Sequence, residues 1–125
     1  MSAIDPRNTY HYLDLDGALE KMGDLPALTD LLGMLQVSLT RDIPRIEQLL
    51  AQENVLLANR MLHALKGFIP IFCSDALCAE VAAVELLSKT ASAAEMATAY
   101  ASLSSKLRLL QQDVEQSLGS SGAPF

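Results

Sequence analysis

Apolar residues recur along this chain at three- and four-residue spacing, and no segment reads as a strand. The clearest stripe is Leu28, Leu31, Leu32, Leu35 and Leu39. Before it, Asp14 or Asp16 can cap a short helix through Leu19 and Met22, which Gly23 and Asp24 close. Asp24 then caps a second helix with Pro26 in its first turn, where a missing N–H costs little. Pro44 interrupts that helix, but the apolar phase continues through Ile46, Leu49 and Leu50, so a bend is expected there rather than a restart. Gln52, Glu53 and Asn54 form a break. A third helix spans about Val55 to Phe72, with Pro70 distorting its last turn. Ser74 is suited to cap a fourth, roughly Asp75 to Lys89, with Leu77, Val81, Val84 and Leu87 facing inward. After Thr90 and Ala91, the segment Ser92-Ala93-Ala94-Glu95 is a capping box that opens a fifth helix through Met96, Tyr100, Leu103, Leu107, Leu110 and Val114. The expected fold is all-α: an antiparallel up-down four-helix bundle, since short loops make successive helices neighbours, with a short additional N-terminal helix. Residues 1–118 are expected to form one domain and residues 119–125 a flexible C-terminal tail.

The third helix carries the candidate chemistry. With His63 at zero on a helical wheel, Asn59, Pro70 and Gly67 fall within about 40° of it, and Arg60 and Lys66 within about 60°. Leu56 shares the stripe and Ile71 lies at its edge. The opposite side carries Ala58, Met61, Leu65, Phe68, Ile69 and Phe72. The imidazole is therefore expected outside, on a narrow polar stripe with two cations and a glycine beside it. Neutral imidazole has a free lone pair near pH 7, and cations beside it can stabilise an added anionic group. Lys66 lies one turn after His63 on nearly the same face, and Arg60 one turn before. Gly67 costs about 1 kcal/mol relative to alanine inside a helix, a cost that makes sense where something must approach closely.

The pattern His63-x-x-Lys66-Gly67, then Phe72 nine residues after the histidine, Leu77 fourteen after and Glu85 twenty-two after, resembles the signature of histidine-containing phosphotransfer (HPt) domains. These are helical carriers of bacterial and fungal two-component phosphorelays, and the helix order on either side of the motif is also similar. The resemblance implies that His63 is the phosphorylated nucleophile, that Lys66 stabilises the phosphoryl group with Arg60 as a second candidate, and that Leu56, Asn59, Gly67 and part of the second helix receive the partner. The implied partners are response-regulator receiver domains, a hybrid sensor histidine kinase, or both. The receiver would bring the aspartate and the magnesium ion, so the carrier needs no cofactor of its own and no autonomous kinase activity. Three positions depart from the family pattern: Phe68 and Pro70 stand where small residues are common, and Cys73 where glycine is. They are expected to reshape the end of the third helix and the docking geometry.

Composition narrows the picture further. The 125 residues suffice for one core, and a chain that is 50% hydrophobic, only 5% aromatic and free of tryptophan suits a helical bundle. A net charge of −6 argues against a general nucleic-acid surface, which needs a basic patch. Cys73 and Cys78 have no zinc spacing and are expected to be reduced packing thiols. No signal-peptide pattern opens the chain and no apolar run approaches the ~18 residues of a membrane span. A free-standing, cytoplasmic, monomeric carrier without membrane contact is therefore expected. Glu85 reads as a structural or partner-facing residue, and His11, between Tyr10 and Tyr12, as incidental. No Glu-x-x-His pair is present for a di-iron site, and no glycine-rich phosphate loop. The competing expectation is a degenerate bundle of the same kind that docks a receiver or kinase and regulates it without carrying phosphate. A purely structural helical adaptor is a third.

Overall fold

The computed structural model describes residues 10–73 and 75–122, the last three of these by backbone alone. Its helices are α1 (Leu15–Met22), α2 (Leu25–Ala51), α3 (Val55–Phe68), α4 (Asp75–Leu87) and α5 (Ala93–Gly122), with a 3-10 turn at Ile69–Ile71 between α3 and α4. No β-strand is formed among the described residues, which leaves the protein all-helical.

The helix ends follow from local chemistry. Asp14 caps α1 by accepting from the Gly17 N–H at 3.0 Å, and Gly23 closes it with φ 72°, a left-handed conformation that glycine adopts without penalty. Asp24 stands at the N-cap of α2, but its carboxylate makes no capping hydrogen bond, so Pro26 in the first turn carries that start. Asn54 caps α3 through the Leu57 N–H. The expected box at α5 forms in both directions: Ser92 N–H donates to Glu95 Oε1 at 2.9 Å and Glu95 N–H to Ser92 Oγ at 3.2 Å. The cap expected from Ser74 lies outside the described residues.

α2 passes through Pro44 as a single helix without a restart, as its continuous apolar phase predicts, because Leu39, Ile43 and Ile46 are fully buried on either side of the proline and hold it in phase. Three other boundaries differ from the sequence expectation. α3 ends at Phe68, and the chain tightens into the 3-10 turn around Pro70, which cannot continue the α ladder. α4 stops at Leu87, which stays at the rim at 40% exposed, while Glu85 and Ser88 take the inward places. α5 runs to Gly122, past the point where glycine and serine content suggested a tail, and residues 123–125 lie outside the described residues.

Packing arranges the long helices pairwise: α2 on α5 most extensively, α2 on α3, α3 on α4, and α4 on α5. Their inner faces form one core, with Leu28, Leu35, Leu39, Ile43, Leu62, Leu65, Phe72, Leu77, Tyr100, Leu103 and Leu107 among its buried side chains. Each fully buried side chain of this size contributes about 1.5–3 kcal/mol. The short α1 and the residues before it brace the far end of α3. Leu13 pairs with Cys73 in an isolated antiparallel bridge, Asp14 N–H donates to the Phe72 carbonyl at 2.7 Å, and Lys21 Nζ donates to the Pro70 carbonyl at 2.7 Å. Among the described residues no helix is long and apolar enough to cross a membrane.

Candidate functional site

α3 buries Ala58, Leu62 and Leu65 and turns its polar stripe outward, as a 3.6-residue period requires. His63 sits on the crest of that stripe with its side chain 71% exposed. The stripe has two flanks. On one, Asn59 and Lys66 reach across to α4. On the other, Ala64 and Phe68 line a groove shared with Met34, Ser38, Arg41 and Asp42 of α2.

The α4 flank converges on Glu85, whose side chain is only 2% exposed. Asn59 Nδ2 lies 3.3 Å from Glu85 Oε2, 3.3 Å from the Glu85 backbone carbonyl and 2.6 Å from Ser88 Oγ. The Ser88 hydroxyl in turn donates to the Glu85 carbonyl. Lys66 Nζ stands 3.5 Å from Glu85 Oε1, and Lys89 Nζ, in the turn after α4, 3.9 Å from Oε2. His63 Nδ1 is 3.6 Å from that same Oε2, within ion-pair reach but longer than a hydrogen bond. Burial pushes the Glu85 carboxyl up, but Lys89, the Asn59 amide and Lys66 together outweigh it and hold the group below its ordinary value. Two ammonium groups around one carboxylate leave the surroundings of His63 cationic in a chain whose net charge is −6.

Of the site residues expected from sequence, Asn59, His63 and Lys66 are therefore brought together through Glu85. Arg60 is exposed and makes no ion pair among the described residues. Gly67 lies on the exposed face, and a Cβ there would meet nothing within 4 Å, so nothing inside the described chain demands a glycine. Leu56 is 64% exposed, and Met34 and Val37 of α2 are large apolar side chains left in solvent. The three departures from the family pattern are all structural: Phe68 packs edge-on against Phe72 with ring centroids 5.1 Å apart, Pro70 shapes the 3-10 turn, and Cys73 is buried, its thiol pushed up by desolvation.

Two parts of this arrangement escaped the sequence. Glu85 is the hub of the cluster, and the signal for its burial is its phase: it lies four residues after Val81 and eight after Leu77, both core residues. Lys89, four residues after Glu85, is its natural helical ion-pair partner. His11 is also not incidental, since its ring Nδ1 lies 3.1 Å from Asp113 Oδ1. Among the described residues no cluster of three or more His, Cys, Asp or Glu side chains could hold a metal ion. No protein-family model matches the chain, and neither a curated protein nor a solved structure does.

Proposed function

We propose that this chain is a histidine phosphocarrier of the HPt kind, relaying a phosphoryl group between receiver-domain aspartates through His63. The observation that carries the reading is an exposed imidazole whose Nδ1 faces a buried carboxylate that is itself ringed by Asn59, Lys66 and Lys89. A carboxylate facing Nδ1 favours the proton on that nitrogen and leaves the lone pair on Nε2, turned to solvent. Nε2 attacks the phosphorus of an aspartyl phosphate, the N–P bond forms as the P–O bond breaks, and the aspartate leaves as a carboxylate with the electron pair. Glu85 then balances the positive charge that develops on the ring, and Lys66 the charge on the phosphoryl oxygens. Transfer of this kind depends on positioning and charge stabilisation, so the carrier needs little more. The receiver supplies its own magnesium ion.

The docking face in this reading is the crest of α3 with Leu56, Asn59, His63 and Gly67, flanked by Arg60, and the adjoining strip of α2 with Met34 and Val37. Exposed apolar side chains around a reactive group suit a partner surface. The pairing of α2 and α4 each with both α3 and α5 supports an antiparallel up-down four-helix bundle, with α1 as an additional brace. A cytoplasmic monomer that meets its receiver or hybrid kinase transiently is the corresponding state.

The test is phosphotransfer from radiolabelled phospho-receivers, with His63→Gln beside the parent. Acid-labile label on the parent and none on the variant is the expected result. Receiver binding without label on either protein, with both folded by circular dichroism, would overturn the carrier reading in favour of a docking module.

A further inference from the structure

The turn after α4 carries a cation whose position has a chemical consequence. Lys89 Nζ approaches Glu85 Oε2, the oxygen that also faces His63 Nδ1, while Lys66 Nζ approaches Oε1. The carboxylate is fixed by burial and by Asn59, whereas both lysine stems are largely in solvent, Lys66 at 45% and Lys89 at 57% exposed. At 3.5 and 3.9 Å neither ammonium is tightly hydrogen-bonded to Glu85, so each can turn towards a neighbouring anion while staying close to the carboxylate. A phosphoryl group on the histidine adds up to two negative charges on mobile oxygens beside a carboxylate that carries one. Flexible cations placed between the two anions go to the larger charge.

We propose that Lys89 is a second phosphoryl-binding cation: when His63 is phosphorylated, Lys89 and Lys66 swing from the Glu85 carboxylate to the phosphoryl oxygens. Glu85 acts before that step as the anchor that keeps both cations beside the imidazole. The anchor also limits the cost of holding two ammonium groups together before the phosphoryl group arrives, because each is paired with the same buried anion. This inference rests on the phosphocarrier reading and adds to it a residue outside the motif that first suggested that reading.

The experiment uses phosphoramidate, a small anionic donor that needs no receiver. The imidazole Nε2 attacks phosphorus, the N–P bond to the ring forms as the donor's own P–N bond breaks, and ammonia leaves with the electron pair. Phosphohistidine formation is followed by ³¹P NMR on the parent, Lys89→Met, Lys89→Arg and His63→Gln. The expected result is formation about 2–5-fold slower in Lys89→Met, the order of effect of one partly exposed cation, with Lys89→Arg near the parent. The gap between parent and Lys89→Met should narrow in about 1 M salt, because the missing interaction is electrostatic. Formation at the parent rate in Lys89→Met, or a loss that Lys89→Arg does not restore, would overturn the role of Lys89 while leaving the carrier reading intact. No phosphohistidine on the folded parent from phosphoramidate or from any phospho-receiver would remove the carrier reading and this inference with it.

Discussion

Asp113, in the middle of α5, holds His11 twice: the His11 backbone N–H donates to Asp113 Oδ1 at 3.1 Å, and the His11 ring Nδ1 lies 3.1 Å from the same oxygen. Its other oxygen accepts the backbone N–H groups of Tyr12 at 2.8 Å and Leu13 at 3.2 Å. One buried carboxylate thus fastens the N-terminal segment to the bundle, and through the Leu13–Cys73 bridge to the end of the segment that carries His63. Asp113→Ala removes the acceptor of the buried Leu13 N–H and of the part-buried His11 and Tyr12 N–H groups, which have no other partner among the described residues, and an orphaned buried donor costs about 1–3 kcal/mol. The variant is expected to lose about 2–4 kcal/mol in urea unfolding, with Asp113→Asn in between. A loss within about 0.5 kcal/mol would mean that the segment contributes nothing to the stability of the core.

Tyr100 offers a second, smaller test of the interior. Its ring is fully buried and its hydroxyl donates to the Ile43 carbonyl at 3.0 Å, immediately before Pro44. Tyr100→Phe keeps the ring and removes one hydrogen bond, so the expected cost is about 1 kcal/mol, read as a lower denaturation midpoint at unchanged slope. A changed slope would indicate that the hydroxyl holds α2 against α5 across the proline rather than adding a single bond.

Glu85 makes stability depend on acid. Burial raises its carboxyl, but Lys89, Asn59 and Lys66 more than offset this, so the folded value lies below the ordinary 4.5. A group depressed on folding contributes its stability in full above its unfolded value and loses it as the pH falls through the folded one. Glu85→Gln, which keeps the shape and removes the charge, is therefore expected to be less stable than the parent near pH 7, with the difference closing as the pH falls below the ordinary carboxylate range and through the depressed folded value. Paired unfolding curves across that range check it, and a constant difference would show that hydrogen bonding rather than charge holds the cluster.

The legible part of this molecule was its periodicity. Leu28, Leu32, Leu35 and Leu39 on α2 and Met96, Tyr100, Leu103, Leu107, Leu110 and Val114 on α5 are all buried, because an apolar stripe at helical spacing has one way to leave water. The exposure of His63 and Leu56 followed from the same wheel. Polar residues on the buried side were only partly legible: Glu85 reads as structural or partner-facing and shares the phase of Leu77 and Val81, but the burial of Glu85 and Asp113 depends on partners that the local pattern does not name. Those partners are distant in sequence: Asn59 and Lys66 for Glu85, and the backbone of His11 to Leu13 for Asp113. Helix ends failed for a related reason. The stop of α4 at Leu87 and the run of α5 to Gly122 are boundaries that composition does not encode.

Gly67 separates stability from function. It is helical, its φ is not positive, and a methyl group there would touch nothing within 4 Å. Gly67→Ala should therefore stabilise the fold by up to about 1 kcal/mol, through lower backbone entropy in the unfolded chain. On the proposed docking face, one turn beyond His63, the same methyl lies where a receiver loop must approach. Transfer from a phospho-receiver is expected to fall in Gly67→Ala and to fall further in Gly67→Leu, while phosphorylation by small phosphoramidate stays near the parent rate. The pair of donors isolates docking from chemistry, because only the receiver is large enough to meet the added side chain. A Gly67→Leu variant that accepts phosphate from a receiver at the parent rate would move the docking face off this flank of α3. A destabilised Gly67→Ala would instead show that the glycine serves the helix and its 3-10 continuation rather than a partner.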